Sequence, residues 1–364
     1  MIKIAFVIPN MSYGGAQTML ARLVDKLDKT KFDIAVFVRD SYLGNKFETD
    51  LINSGIKCVY MDIGENEHHN NIFLHKIKSY FLFCKSLSEF KPDIVHSHLD
   101  LFYSFLYAIF NRKKLIITIH SQPERITNTR LKIFIKILKK MNCLYIVGCA
   151  KCVTDKVKEM WNVKKASTIY NPINLCDYNP YGQKSDNEFK YIHIGRLHPI
   201  KNQSLLLKAF KGVLSECPKS SLIIVGDGSM REQLESLSKE LDIQGNVKFL
   251  GNRSDIPDLL ADANVFVLSS DSECCPMTVL EAISSGIPVV STDVGGVGEI
   301  IGDGGMLVEK GNVKLLSNAM IEIQKNKEKY DEMKEIALER SKRFDSLTIA
   351  KQHEELYIFF SDGE

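Results

Sequence analysis

The residues of this 364-residue chain best suited to chemistry stand in a few short segments. Glu273-Cys274-Cys275-Pro276-Met277-Thr278-Val279-Leu280-Glu281 is the densest. It follows the apolar run Val265–Leu268, so Glu273 falls on a loop, Pro276 suits the first turn of a helix, and Glu281 lies one turn inside it. A carboxylate buried beside anionic phosphate is costly, so it must have work to do. Accepting hydrogen bonds from sugar or ribose hydroxyls is such work; a capping carboxylate followed by a surface glutamate is the plainer alternative. Gly195-Arg196-Leu197 with Lys201-Asn202 places an arginine at a strand end and a lysine at a helix start. Arginine offers a planar fork and lysine a mobile point charge, and the two can converge on a diphosphate or remain solvated surface charges.

Two glycine-rich loops and three histidines complete the set. Pro9-Asn10-Met11-Ser12-Tyr13-Gly14-Gly15-Ala16-Gln17 sits between a strand and a helix. Its two glycines let backbone amides approach a ligand at a helix N-terminus, or simply make a tight turn. It is not the G-x-G-x-x-G of dinucleotide sites, and no acidic residue ends the second strand at the matching place. Thr292-Asp293-Val294-Gly295-Gly296-Val297-Gly298-Glu299 ends a later strand and admits the same two readings. His96 and His98 close one strand-like run and His120 another. A strand-end histidine of a parallel sheet is expected to face a ligand crevice. His68 and His69 stand in a polar loop and are expected to be solvated.

Strands must hold these residues, and the pattern supplies them. Ile4–Ile8, Ile34–Val38, Lys57–Tyr60, Ile94–His96, Leu115–Ile119, Leu144–Gly148 and Ser167–Ile169 are strand-like runs, with helical patterns such as Gln17–Leu27 and Ile72–Phe90 between them. After a stretch rich in Asn, Pro, Gly and Asp the rhythm restarts with Tyr191–Ile194, Leu222–Val225, Val247–Leu250, Val265–Leu268, Pro288–Ser291 and Met306–Val308. Gln203–Glu216 and Glu232–Leu241 are helical patterns of this second series. Alternating β and α of this kind gives parallel sheets covered by helices on both faces. The fold class expected is α/β, with two Rossmann-like, doubly wound domains facing a cleft. The first spans 1–172, a linker 173–188, and the second 189–345; the final helix, 346–364, is expected to pack back onto the first. The Asn171–Glu188 stretch and the crossing before Leu347 are the expected hinges.

Charge divides along the same line. Residues 1–172 carry 26 Lys+Arg against 15 Asp+Glu, a balance of +11, and the rest carry 21 against 30, a balance of −9. The basic half is expected to face something anionic. Within it, Arg130–Lys140 reads as an amphipathic helix with Lys132, Lys136, Lys139 and Lys140 on one face and Leu131, Phe134, Ile135 and Leu138 on another. That pattern fits an interfacial helix or an ordinary cover for the sheet. No run reaches the length of a membrane span, Met1 leads straight into a strand rather than a signal peptide, and the nine cysteines are irregularly spaced. The expected setting is therefore cytoplasmic, with reduced thiols. Cys149 and Cys152 form a C-x-x-C with no second pair at zinc-site spacing.

In order and spacing these segments resemble the retaining GT-B glycosyltransferases, family four of the sequence classification, along nearly the whole chain. The resemblance rests on Gly14-Gly15, His120, Gly195-Arg196-Leu197 with Lys201, Gly226-Asp227-Gly228, Glu273 with Glu281, and Gly295-Gly296. Many members have Gly-Phe-Gly where this chain has Cys274-Cys275-Pro276, a departure that bears on substrate more than on reaction class. The resemblance implies transfer of a hexose or N-acetylhexosamine from a nucleotide diphosphate sugar, UDP before GDP, to a glycan acceptor, expected to be lipid-linked. It implies that Arg196 and Lys201 bind the diphosphate, that Glu273 contacts the donor sugar and Glu281 the ribose, and that His120 meets the sugar near the reacting carbon. Gly15, Met277, Thr278, Val279, Gly295 and Gly296 are expected on the donor side, and Gly14 and His98 on the acceptor side. There is no D-x-D in the sequence, so no metal is expected, and the nucleotide sugar counts as a substrate, so no cofactor is expected either. The other expected partner is an anionic membrane surface, touched peripherally by the basic domain; nucleic acid is not. A sugar-nucleotide epimerase of the same fold and an inactive partner subunit are the rival readings.

Overall fold

The computed structural model describes residues 1–11, 14–40, 51–52, 54–61, 72–127, 129–182 and 188–362. Ser12, Tyr13, His68, His69 and residues 183–187 of the expected linker lie outside them. One parallel sheet holds β1 (Ile2–Ile8), β2 (Phe32–Val38), β3 (Lys57–Tyr60), β4 (Ile94–His98), β5 (Lys114–Ile119), β6 (Leu144–Gly148) and β7 (Ala166–Thr168). Its order is β3-β2-β1-β4-β5-β6-β7. A second parallel sheet holds β8 (Phe189–Ile194), β9 (Ser220–Val225), β10 (Val247–Gly251), β11 (Val265–Leu268), β12 (Val289–Thr292) and β13 (Gly305–Val308), in the order β10-β9-β8-β11-β12-β13.

The strands are apolar along their length rather than alternating. Ile4 to Ile8 of β1 and Val265 to Leu268 of β11 are all buried. Such strands need cover on both faces, and parallel neighbours need crossovers, so helices intervene. In each sheet the chain starts at an inner strand, winds to one edge, then returns and winds the other way. The order reverses between β1 and β4 and between β8 and β11. Neighbouring loops there turn apart and leave a crevice at the carboxyl ends of the strands. The Gly14-Gly15 loop, Gly195-Arg196 and the Ser269–Glu273 loop follow strands that flank these two points, and His98 ends one.

The chain forms two compact units, Met1–Pro172 with Ser346–Glu364 and Ile173–Asp345. The helix Ser346–Asp362 belongs to the first because its apolar stripe, Ile349, Ala350, Leu356, Tyr357 and Phe360, is buried there. Its Glu354 Oε1 accepts from the Asp28 amide at 2.7 Å, and its Ser361 carbonyl accepts from Lys114 Nζ at 2.6 Å. Ile173–Gly182 reads as linker by composition but lies with the second unit. Ile173 donates its amide to the Phe344 carbonyl at 2.8 Å, and its side chain and that of Tyr178 are buried. The second core gathers Tyr191, Leu206, Phe210, Leu222, Val267 and Met320. β4 runs two residues past the expected end, through Ser97 and His98, which pair with Ile117 and Thr118 of β5. Polar residues are accepted there because their side chains are bonded. No disulfide is assigned to any of the nine cysteines among the described residues. Among the described residues no helix is long and apolar enough to cross a membrane.

Candidate active site

In the second unit four loops at the carboxyl ends of β8, β9, β11 and β12 are stitched together. Gly226 and Gly228, after β9, lie against the Gly195-Arg196-Leu197 turn, and the Leu197 amide donates to the Asp227 carbonyl at 2.9 Å. A Cβ on Gly226 would come within 2.2 Å of the Gly195 carbonyl oxygen, and Gly226 has φ +124°, so only glycine fits. The loop after β11 is tied to the Lys201 turn: the Asp271 amide donates to the Ile200 carbonyl at 2.8 Å, and Ser269 Oγ donates to the Lys201 carbonyl at 2.9 Å. The loop after β12 closes on it from the other side, with Thr292 Oγ1 donating to the Ser270 carbonyl at 2.7 Å and the Gly296 amide to the Cys274 carbonyl at 2.9 Å. Gly295 sits at φ +57°, and a Cβ there would lie 1.8 Å from the Glu273 carbonyl oxygen.

This stitching fixes the charged groups. Glu273 is almost buried, and its Oε1 accepts from Lys201 Nζ at 2.6 Å and from Ser270 Oγ at 2.6 Å. A buried carboxylate is tolerable only when held in this way. Arg196 is exposed and makes no ion pair among the described residues. Behind it, the His193 Nδ1–H donates to the Val267 carbonyl at 2.9 Å, which leaves His193 Nε2 to accept from Gln203 Nε2 at 3.2 Å. The Gln203 amide also donates to the Arg196 carbonyl at 3.0 Å. Burial pushes His193 down to about 4, so the ring is neutral and the network is satisfied without charge. The helix Met277–Ser284 starts directly after Pro276. The Val279 amide bonds back to the Pro276 carbonyl at 3.1 Å, and the amides of Met277 and Thr278 have no partner within the helix. No acidic residue stands in its first turn, so this N-terminus attracts anions. Glu281 lies one turn further in and is partly buried.

In the first unit, the helix Gly15–Lys26 opens after β1 with Gly14 as its extended cap and no acidic residue in its first turn. Gln17 is buried and donates to Asn10 Oδ1 at 3.1 Å, which ties the helix start to the strand end. At the ends of β4 and β5 four side chains form a two-rung ladder. His96 Nε2 is 2.8 Å from Thr118 Oγ1, and His98 Nδ1 is 3.0 Å from His120 Nε2. His96 Nδ1 bonds the Tyr357 hydroxyl of the C-terminal helix at 2.8 Å. Burial holds His120 down at about 4 and depresses His96 and His98 as well. After His98 the chain turns through Leu99 at φ +65°, a strained conformation for a branched apolar residue. Asp100 behind this turn is raised by burial, with Arg39 Nη1 at 3.4 Å opposing the shift. Among the described residues no group of three or more His, Cys, Asp or Glu is placed to hold a metal ion.

Sheets, switch points and loop cluster can be set against known proteins. Residues 13–176 match the family model described as Glycosyltransferase Family 4, and residues 179–340 match the one described as Glycosyl transferases group 1. The chain belongs to this glycosyltransferase family. Over 241 residues it is 30% identical to an uncharacterized glycosyltransferase of Methanocaldococcus jannaschii, a match covering 60% of this chain and 59% of that protein. It is 26% identical over 357 residues to the UDP-Gal:alpha-D-GlcNAc-diphosphoundecaprenol alpha-1,3-galactosyltransferase of Escherichia coli, covering 90% of this chain and 89% of that one. The crystal structure of Anabaena HepE in complex with UDP and glucose superposes with a TM-score of 0.80 at 22% identity, over 98% of this chain and 99% of that one. That likeness concerns the fold: the enzyme has the GT-B architecture of two parallel sheets with flanking helices.

Within this glycosyltransferase, Lys201, Glu273, Gly295, Gly296, Met277, Thr278 and Val279 come together in the second unit, with Arg196 on the same set of loops and Glu281 inside the helix that follows Pro276. His120 and Gly14-Gly15 stand at strand ends of the first unit. His98, expected to face the acceptor, is fully buried, and its ring reaches the strand ends only through His120. His96 is buried likewise. Pro276 precedes the helix rather than opening it, because its extended backbone, with ψ 122°, makes it the cap. Gln203, His193, Ser269 and Ser270 had no motif to mark them. Only the run of serines at the end of β11, unusual directly after four buried apolar residues, signalled a bonded loop.

Proposed function

We propose that this glycosyltransferase moves a hexose or N-acetylhexosamine from a UDP-sugar to a lipid-linked glycan acceptor, with retention at the anomeric carbon. The observation that carries the reading is the Lys201–Glu273–Ser270 cluster beside the free N-terminus of the helix Met277–Ser284 and the exposed Arg196. The diphosphate is met by Arg196, by Lys201 and by the Met277 and Thr278 amides, which stabilise charge as it develops on the leaving nucleotide. Glu273 accepts from donor-sugar hydroxyls once Lys201 shifts towards phosphate, Glu281 holds the ribose, and His120 bonds the sugar near the reacting carbon. The acceptor hydroxyl attacks that carbon as the bond to the phosphate oxygen breaks, and the departing phosphate takes the acceptor proton. These cationic and amide groups take the place of a metal clamp. UDP is favoured over GDP because the relative in Escherichia coli is named for UDP-Gal and the Anabaena structure holds UDP. The first of these also supports a diphosphoundecaprenol-type acceptor.

The same reading places the first unit at an anionic membrane surface. The helix Thr129–Lys140 buries Leu131, Ile135 and Leu138, so these face the fold and not a bilayer. Its outer face shows Ile133 and Ile137 between Lys132, Lys136 and Lys140. Lys139 is engaged elsewhere, donating Nζ to the Trp161 carbonyl at 3.2 Å. Phe102, on the helix Phe102–Asn111, lies 5.9 Å from Phe134 of the same basic helix and is exposed, as is Phe110. Apolar residues set among lysines suit an anionic bilayer surface.

A donor screen against a diphosphoundecaprenol-linked acceptor tests the proposal, read by product mass and by the anomeric coupling constant. An α-glycoside from an α-linked UDP-sugar is expected, with no loss of turnover in EDTA. Conversion of the donor without acceptor would instead favour an epimerase, and failure to bind any nucleotide an inactive partner subunit. A β-glycoside would overturn retention.

A further inference from the structure

We infer that His98 is a positioning residue for His120: its buried ring donates Nδ1–H to His120 Nε2 and so fixes His120 as the neutral tautomer that presents Nδ1–H at the carboxyl end of β5. The inference rests on the reading above, which places His120 beside the sugar, and adds which atom of His120 carries the proton and what holds it there.

The two rings are 3.0 Å apart, and one of them must donate. If His120 donated, the proton of a neutral His98 would move to its Nε2. That ring is fully buried, and His98 Nε2 has no hydrogen-bond partner among the described residues. An N–H would then be stranded in the core. If His98 donates instead, only a lone pair is left unpartnered. Buried N–H groups without an acceptor are the rarer defect. His353, packed against the neighbouring His96 ring, has a tautomer that its partner settles outright. Its Nδ1 faces the Ile349 carbonyl at 3.1 Å, a carbonyl can only accept, and its Nε2 is therefore a lone pair, also buried and unpartnered. The layer between β4 and the C-terminal helix thus already holds one unpartnered Nε2 lone pair.

The surroundings keep His98 uncharged. The groups around it are His96 on its own strand, Thr118 opposite it on β5, His120 directly after β5, His353 on the C-terminal helix, and the Phe6 ring 6.0 Å away on β1. None is a carboxylate that could balance an imidazolium. His96 spends both nitrogens on hydroxyls, of Tyr357 and Thr118, which can donate or accept as required. It makes no competing demand on His98. With Nε2 committed as acceptor, His120 carries its proton on Nδ1, and no other bond to this ring is made among the described residues. His120 therefore offers an oxygen a hydrogen bond and no charge.

Two-bond proton–nitrogen spectra of the full chain labelled with 15N-histidine test this directly, with His120 assigned by the signal lost in His120→Gln. Wild-type His120 is expected to be protonated at Nδ1 and neutral at pH 7. His98→Asn keeps a donor near the same place and should preserve that tautomer. His98→Leu removes the donor at similar volume and should release the Nδ1–H form, so that His120 protonated at Nε2 becomes populated. UDP release from UDP-glucose and UDP-galactose should fall about tenfold to a hundredfold in His98→Leu and recover most of the way in His98→Asn, as for other supporting partners of a working group. Wild-type His120 protonated at Nε2, or a tautomer indifferent to a folded His98→Leu, overturns the inference. If the tautomers come out as expected but His120→Gln leaves UDP release unchanged, the His98–His120 bond stands and the placing of His120 in the donor site falls.

Discussion

Gly295→Ala is the sharpest single perturbation of the stitched loops. Gly295 has φ +57°, where any L side chain costs about 1–2 kcal/mol. The added Cβ would also lie 1.8 Å from the Glu273 carbonyl oxygen and 2.7 Å from its carbonyl carbon. Both atoms are backbone, so no side chain can swing away. Opening 1.8 Å to the 3.0 Å limit of real contacts means a shift of 1.2 Å, the difference of those two distances. Overpacking of this kind adds a further cost of about 1–3 kcal/mol. The movement falls on Glu273 and on the Cys274 carbonyl that accepts from Gly296, so the carboxylate is carried off its Lys201 and Ser270 partners. Misplacement by about 1 Å costs roughly a hundredfold in rate. Gly311→Ala is the control, because Gly311 also has positive φ, +76°, with nothing within 4 Å of the added carbon. Urea unfolding and UDP release from a UDP-sugar are measured on both. Gly311→Ala should lose only the backbone cost and keep its turnover, while Gly295→Ala loses more stability and about two orders of magnitude in rate. If the two variants behave alike, the loop contact does not hold Glu273 and the argument fails.

Arg196→Ala and Lys201→Ala should each lower turnover by about a hundredfold or more, but only Lys201→Ala should also destabilise, by about 1–3 kcal/mol, because it strips a nearly buried Glu273 of its cation. Equal urea midpoints for the two variants would contradict that asymmetry. Acid should unfold the protein early. His193 and His353 are buried and held at about 4, below the ordinary 6.5, so the unfolded chain takes up protons first and stability is lost as pH falls from about 6.5 to 4, by roughly 3 kcal/mol for each ring. A urea midpoint that stays flat across that window would dismiss both shifts. Replacing Lys132, Lys136 and Lys140 together by serine should abolish salt-sensitive co-sedimentation with anionic liposomes, whereas Lys139→Ser should weaken it little; wild-type sedimentation of the triple variant would leave this helix as cover for the sheet alone.

Periodicity and punctuation determined much of this protein before any coordinates. Runs such as Ile4–Ile8 and Val265–Leu268 are apolar without alternation because both faces of a parallel strand are buried, so their place in a sheet follows from local composition. Arg196, Lys201, Glu273 and Gly295 were marked by residue type at strand ends, and a doubly wound sheet gathers strand ends wherever its order reverses. What the sequence could not show is which of those residues touch. The Lys201–Glu273 pair spans 72 residues, and Gly295 is indispensable only because the Glu273 backbone crosses above it. His193, Gln203 and Ser270 carry no motif, since a hydrogen-bond network is set by distance and not by spacing along the chain. Ile173–Gly182 reads as linker by composition, yet two buried side chains bind it to the second unit. His98 makes the same point from inside the first unit. Its place at a strand end was legible, but whether the ring faces solvent or core depended on Phe6 of β1 and on His96, itself covered by Tyr357 and His353 from the far C-terminal helix, and only tertiary packing decides that.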